Sequence, residues 1–459
     1  MRSKKLLITA ALVAGMTGAL SSCGESNNVI TVWVGEESSS FYQTVCDEYL
    51  AAHADFGFKV QVKGVDSGTT GGAMTTDNTK CGDIITVAHD NIGKLVEKNK
   101  VLPFVNEDLI AQVDNDNSDS FKSVVYVKND IGEGEKNYLY GVPYISQALF
   151  LYYNKSKVTE NQAKTFEGLM AAAKSNNTKA FGITGADGYN YSFNLLARNA
   201  EDNSTTLRLY QNFQKKNCYA QGEDEVASLK WAQRVFNDDN GGLMPTDSGW
   251  ATEFKNGNIL SVIGGAWHYD AAKTAVGETN LGITVLPTYE FTAADVEGTE
   301  MAAGTKMQAG SFADCKVLMI NFKTTGTKYS KAQELVQYMS TKENQLRSFK
   351  ECANVPAYNG CENDLESLTG QVKQTVLDLA KAQLGMNKYS IPQPFVTGTL
   401  NTYYYSKKAD EKYKVAVINA TGEYNTTKAM REVLYTMEYI WQKGSNPSSI
   451  PSELPEDVL

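Results

Sequence analysis

Histidine is scarce in this chain, with three residues among 459. None of its seven cysteines pairs with another in CxxC spacing. A structural zinc site, which needs four clustered nitrogen or sulfur ligands, is therefore disfavoured. There is no internal repeat, no low-complexity segment and no long run of one charge sign. Nothing has the spacing of a nucleophile elbow, a phosphate-binding P-loop or a zincin helix. Basic residues are outnumbered, 43 against 53, for a net charge of −10. That balance argues against nucleic acid as a partner and against a chain that hugs an anionic membrane. After the first 20 residues no hydrophobic stretch is long enough to span a bilayer. At this length, with 42% hydrophobic residues, the chain can bury two cores.

The N-terminus carries a processing signal. Arg2, Lys4 and Lys5 form a basic region, and residues 6–20 are apolar but too short for a settled membrane helix. Leu20-Ser21-Ser22-Cys23 matches the bacterial lipobox. The match implies removal of residues 1–22 and a lipid on the Cys23 sulfur, leaving residues 24–28 as a polar tether. The expected location is then the outer face of the cell membrane or the periplasm, anchored and not inserted. Six cysteines remain: Cys46, Cys81, Cys218, Cys315, Cys352 and Cys361. Export permits up to three disulfides. Cys352 and Cys361 flank the turn-rich ANVPAYNG and are the expected pair, worth a little under ~3 kcal/mol in the chain-entropy view. Buried thiols are the alternative for the other four.

Short strands alternate with helices through the first third. VITVWV (29–34) alternates apolar and polar positions, SFYQTVCDEYLAAH reads as a helix with Phe41, Val45 and Leu50 inward, and FKVQVKG (58–64) is a second strand. GDIITVAHDN (82–91) then joins a near-continuous apolar run to a polar cluster, as a strand buried on both faces would before it opens a helix. This alternation predicts α/β units with a doubly wound, mostly parallel sheet. His89, Asp90 and Asn91 fall just past a carboxyl strand end, where open α/β sheets bind ligands. Asp90 is also a good helix N-cap, and one carboxylate can serve both roles.

Several segments, in order, resemble the maltodextrin-binding proteins, a branch of the extracellular solute-binding proteins that serve ABC importers. They are AHD at 88–90, LYGVPYISQALFLYYNKSKV at 139–158, the helix start Thr165-Phe166-Glu167, FKNGNILSVIGGAWHYD at 254–270, LGITVLPTY at 281–289, IPQP at 391–394 and VAVINATGEY at 415–424. The resemblance spans roughly residues 29–440. It implies a two-lobed, type II periplasmic-binding-protein-like fold with a hinge. Lobe one is placed at 29–145 plus 287–354 and lobe two at 149–285 plus 356–450, leaving a polar, proline-rich tail at 451–459. It further implies a non-catalytic, monomeric protein without cofactor. Such a protein captures a maltose- or maltodextrin-type oligosaccharide between its lobes and delivers it to transporter permease subunits.

Sugars need polar partners for hydroxyls and flat aromatic faces for their C–H surfaces. By resemblance the ligand residues are Glu36, Glu37, Asp90, Asn91, Gln147, Tyr189, Trp267 and Tyr404, with Phe395 competing for the last role. Glu37 stands where the family has lysine, Asn91 where close relatives have arginine, and Gln147 where the family has glutamate. All three departures retune polar positions. Each candidate also has a structural alternative: acids near a helix start, a satisfied hinge amide, or a core tryptophan. His89 and His268 border two of these residues and are expected to be hydrogen-bonded scaffold, with no metal. Two other classes compete. A surface glycoside hydrolase would use Glu36, Glu37 or Asp90 as paired carboxylates. A polyamine binder would suit the acidic charge.

Overall fold

A computed structural model describes residues 28–132, 134–185, 189–202, 223–244, 249–392, 408–419 and 422–433. Cys23, Cys218, Phe395 and Tyr404 lie outside these residues. No described helix is long and apolar enough to cross a membrane. The chain forms two compact units, residues 1–146 with 315–361, and residues 147–314 with 362–459.

Unit one is built on strands Val29–Val34, Lys59–Gly64 and Ile84–Ala88. The first runs parallel to both others, with Val32 opposite Val62 and Ile84. The strand Ser311–Asn321 joins antiparallel to Ile84–Ala88 through its unit-one residues, with Lys316 opposite Ala88 and Ile320 opposite Ile84. Ile84, Ile85 and Val87 are fully buried, as their continuous apolar run requires for a central strand. Helix Ser39–Ala52 packs on strand Lys59–Gly64 and helix Gly326–Met339. Its inward face is Phe41, Tyr42, Val45, Cys46 and Tyr49, while Leu50, expected inside, is half-buried.

Asp83 opens the central strand and is itself buried. One of its oxygens accepts from the Thr31 amide and hydroxyl, each at 2.8 Å, and lies 2.8 Å from the Lys328 ammonium. The other accepts from the Thr324 hydroxyl at 3.2 Å. One carboxylate thus ties the first strand, the central strand and helix Gly326–Met339 together. A buried charge is tolerable only when it is paired and hydrogen-bonded in this way.

The disulfide expected between Cys352 and Cys361 is not formed, and both residues are thiols, as are Cys46, Cys81 and Cys315. The loop that the bond would have closed is pinned by other means. Ala357 donates its amide to the Gln345 side chain at 2.9 Å, and Asn117 donates to the Ala357 carbonyl at 3.2 Å. The Asn359 amide donates to the Asp116 carbonyl at 2.7 Å. Cys361 turns into the core toward the Pro356 carbonyl.

Unit two has a five-stranded sheet. Its order is Gly242–Leu243, Lys179–Ile183, Ile259–Gly264, Phe150–Asn154 and Leu281–Thr284. Strand Ile259–Gly264 is parallel to Lys179–Ile183, whereas Phe150–Asn154 is antiparallel to both its neighbours. Helix Phe166–Asn176 starts as its sequence predicts, with the Thr165 hydroxyl accepting from the Gly168 amide at 2.9 Å.

The chain returns to unit one at Cys315, and not at 287 as expected. The physical reason is the packing of the intervening segment. Strand Thr288–Glu290 pairs with Lys306–Gln308, and Tyr289 stacks on Trp231 at 4.0 Å between centroids, within the aromatic core of unit two. The Arg234 guanidinium grips Asp295 at 2.8 Å. The later boundary falls after Cys361, beyond the expected 354–356.

Candidate functional site

In unit two, the end of helix Trp250–Asn256 is set by Gly257, whose φ of +73° is the left-handed C-cap conformation that glycine adopts without strain. The buried strand Ile259–Gly264 follows and delivers a tight turn, Ala266–His268, at its mouth. Tyr152, fully buried beneath, donates its hydroxyl to the Gly265 carbonyl at 2.9 Å and fixes that turn. The Trp267 indole folds back over Gly265. A Cβ there would meet indole carbons at 2.1 Å, so glycine is required for this orientation.

Trp267 is 43% exposed, unusual for the largest apolar side chain. Tyr189 lies against it at 5.9 Å and 57°, and stacks on the buried Phe312 at 5.9 Å and 27°. The three rings form an aromatic cluster in which Trp267 is the exposed member. His268 packs edge-on against Trp250 and accepts from the Gly265 amide through Nδ1 at 3.4 Å. Burial pushes its pKa down to about 4, so the imidazole is neutral scaffold. Of these three rings the sequence marked Trp267 and Tyr189 as candidates, while Phe312, on a uniformly buried strand, carried no signal.

In unit one, Glu36 and Glu37 lie exposed in the turn Glu36–Ser38 after the first strand. Glu37 folds back over Gly35, where a Cβ would meet its carboxylate at 2.4 Å. Its Oε1 lies 3.6 Å from the Nζ of Lys316, whose side chain is only 10% exposed. His89, Asp90 and Asn91 form a single tight turn at the carboxyl end of strand Ile84–Ala88. His89 is buried, and its Nδ1 accepts from the Cys315 amide at 3.3 Å.

The helix cap expected at Asp90 does not form. The N-cap of helix Ile92–Glu97 falls on Asn91 and makes no side-chain cap bond. Asn91 instead donates to the Ala88 carbonyl at 3.1 Å and to Asp90 at 2.7 Å. Helix Ser67–Asp77 presses on this turn through Gly71, where a Cβ would meet the Asn91 side-chain oxygen at 2.1 Å. Burial depresses the pKa of nearby Lys94, and Asp90 partly restores it. Gln147, at the start of unit two, is buried. Among the described residues no group of histidine, cysteine, aspartate and glutamate could hold a metal ion.

Residues 44–376 match the profile of a family described as bacterial extracellular solute-binding protein. The chain belongs to that family. Two kinds of relative give this solute-binding protein its context. A maltooligosaccharide ABC transporter solute-binding lipoprotein of Streptococcus pneumoniae is 25% identical over 276 residues. That match covers 56% of this solute-binding protein and 59% of the relative, so it spans less than two thirds of the relative's length.

Solved structures extend the likeness over most of the chain. The unliganded maltodextrin-binding protein MalE1 of L. casei BL23 superposes with a TM-score of 0.66 at 18% identity, covering 88% of this chain and 98% of that one. The maltose-binding periplasmic protein MalE of Listeria monocytogenes, in complex with maltose, gives 0.65 at 18%, covering 91% and 99%. At such identities the likeness establishes the fold, that of type II periplasmic binding proteins.

Proposed function

We propose that this solute-binding protein is a lipid-anchored receptor on the outer face of the membrane. It binds a neutral oligosaccharide of the maltose or maltodextrin type and hands it to an ABC importer. The observation that carries the reading is the exposed Trp267 backed by Tyr189 and Phe312. A rigid aromatic face left open to solvent offers the C–H surface of a pyranose large apolar area at low entropic cost. Glu36, Glu37, Asp90 and Asn91 of unit one offer acceptors and an amide to hydroxyls, and the resemblance to the family supports Gln147 and Tyr404 as further ligand residues. The relatives' names point to the same ligand class. Their pairing with transporters supports permease subunits as the partner, and the lipobox supports Cys23 as the anchor.

Micromolar capture corresponds to about −8 kcal/mol, within reach of a few charge-assisted bonds and stacked rings. The test is a thermal-shift series with maltopentaose and, separately, spermidine. Ligand at one hundred times its dissociation constant adds about 2.7 kcal/mol of stability. A shift with maltopentaose supports the reading, and a shift with spermidine alone defeats it. Product analysis after long incubation with maltopentaose checks for hydrolysis, which is not expected. Turnover lost in Glu36→Gln or Asp90→Asn would make the protein a glycosidase instead.

A further inference from the structure

We propose that Lys316 is the ligand-binding cation of unit one, and that its pairing with Glu37 restricts it to neutral, polyhydroxylated ligands. The inference rests on the sugar-binding reading above and assigns a residue that no motif in the sequence marks.

Four observations carry it. The Lys316 side chain is 10% exposed, a costly place for an ammonium unless it is well paired and hydrogen-bonded. Among the described residues its one charged partner is Glu37, and at 3.6 Å that contact is an ion pair too long to be a good hydrogen bond. Lys316 stands directly opposite Ala88, the residue before the His89–Asn91 turn, so it sits at the ligand-binding end of the sheet. The neighbouring Cys315 amide binds His89, which fixes the strand against that turn at this point.

The chemistry follows from the charges. An ammonium carries three donors and no acceptor, and the ion pair leaves donors for ligand oxygens. Glu37, exposed beside it, accepts from hydroxyls. Together they offer a donor and an acceptor to adjacent hydroxyls of one sugar ring. Glu37 also cancels the lysine charge, and Glu36 and Asp90 add negative charge to the same unit. An acidic sugar would meet net repulsion, whereas a neutral one meets only matched donors and acceptors.

The test compares Lys316→Met, Lys316→Arg and Glu37→Gln with the unaltered protein, by calorimetric titration with maltopentaose and with trigalacturonate. Melting of each unliganded protein is measured alongside. The expected result is at least tenfold weaker maltopentaose binding in Lys316→Met at an unchanged melting temperature, with Lys316→Arg between the two. Glu37→Gln should gain trigalacturonate binding that the unaltered protein lacks. Maltopentaose affinity within twofold of normal in Lys316→Met would overturn the role of Lys316. So would an affinity loss matched by a large drop in melting temperature. No gain of trigalacturonate binding in Glu37→Gln would overturn the restriction to neutral ligands. Failure of the unaltered protein to bind maltopentaose would sink the sugar reading itself, and this inference with it.

Discussion

Tyr189 meets Trp267 at 5.9 Å between ring centroids with 57° between the ring planes, so the tyrosine buttresses an indole that remains 43% exposed. Two tryptophans of unit two, Trp231 and Trp267, do opposite work. Trp231 is fully buried and stacked on Tyr289, while Trp267 is 43% exposed. Trp267→Ala should weaken maltopentaose binding by tenfold or more and leave the melting temperature of the unliganded protein nearly unchanged. Trp231→Ala should instead cost about 3–5 kcal/mol of stability, the usual result of emptying a large buried aromatic site. Calorimetry and denaturant unfolding of the two variants separate the outcomes.

The neutral His268 makes stability sensitive to mild acid. Its pKa lies at about 4 in the folded protein against 6.5 when solvated. The unfolded chain therefore takes up this proton first, so stability falls as the pH drops from about 6.5 toward 4. The loss attributable to this one group is on the order of 2–3 kcal/mol. His268→Gln should flatten that part of the profile. Urea unfolding at a series of pH values, compared between the two proteins, measures the difference.

The buried Cys46 and the half-buried Cys352 should both be unreactive thiols. Burial pushes Cys46 up to about 12 and Cys352 up to about 11, the latter with help from Glu351 and Glu37. Dithiothreitol should leave the melting temperature unchanged, and peptide mapping should find Cys46 and Cys352 unlabelled by iodoacetamide at pH 8. Because the folded values lie above the ordinary 9.0, these groups hold their stabilising share below pH 9 and lose it as pH climbs toward 11–12.

Asp83 should be the costliest polar residue of unit one to remove. Burial raises its pKa, but the Lys328 and Thr31 bonds outweigh that and hold it below the ordinary value. Asp83→Ala strands a partly buried ammonium and should cost about 3–5 kcal/mol, with part of it recovered in the double variant with Lys328→Met. Guanidinium unfolding of the three variants provides the cycle.

Much of this architecture was legible because its signals are local. Strand Val29–Val34 announces itself by alternation, Ile84–Ala88 by a continuous apolar run, and the Thr165 cap by its place before a helix. Gly265 and Trp267 could be read because a small residue and an aromatic share one turn. Lys316 could not be read. It lies on a strand buried from end to end, and only pairing with Ala88, far away in sequence, brings it to Glu37. The boundary at Cys315 was hidden for a similar reason, since the Tyr289–Trp231 stack that holds the preceding segment in unit two is a long-range contact. Spacing alone also favoured a Cys352–Cys361 bond that the loop's own hydrogen bonds render unnecessary.

The Thr324–Asp83 contact joins residues 241 positions apart. The strand just before Thr324, Ser311–Asn321, pairs with the strand Ile84–Ala88, made long before it. Unit one therefore cannot finish folding while its first 146 residues emerge from the ribosome. Contacts this far apart in sequence slow folding, and unit one is not complete until the later strand arrives. An N-terminal signal of the kind read at residues 2–23 acts on chains that are still unfolded, and this order of segments sets a clock that delays completion of the fold.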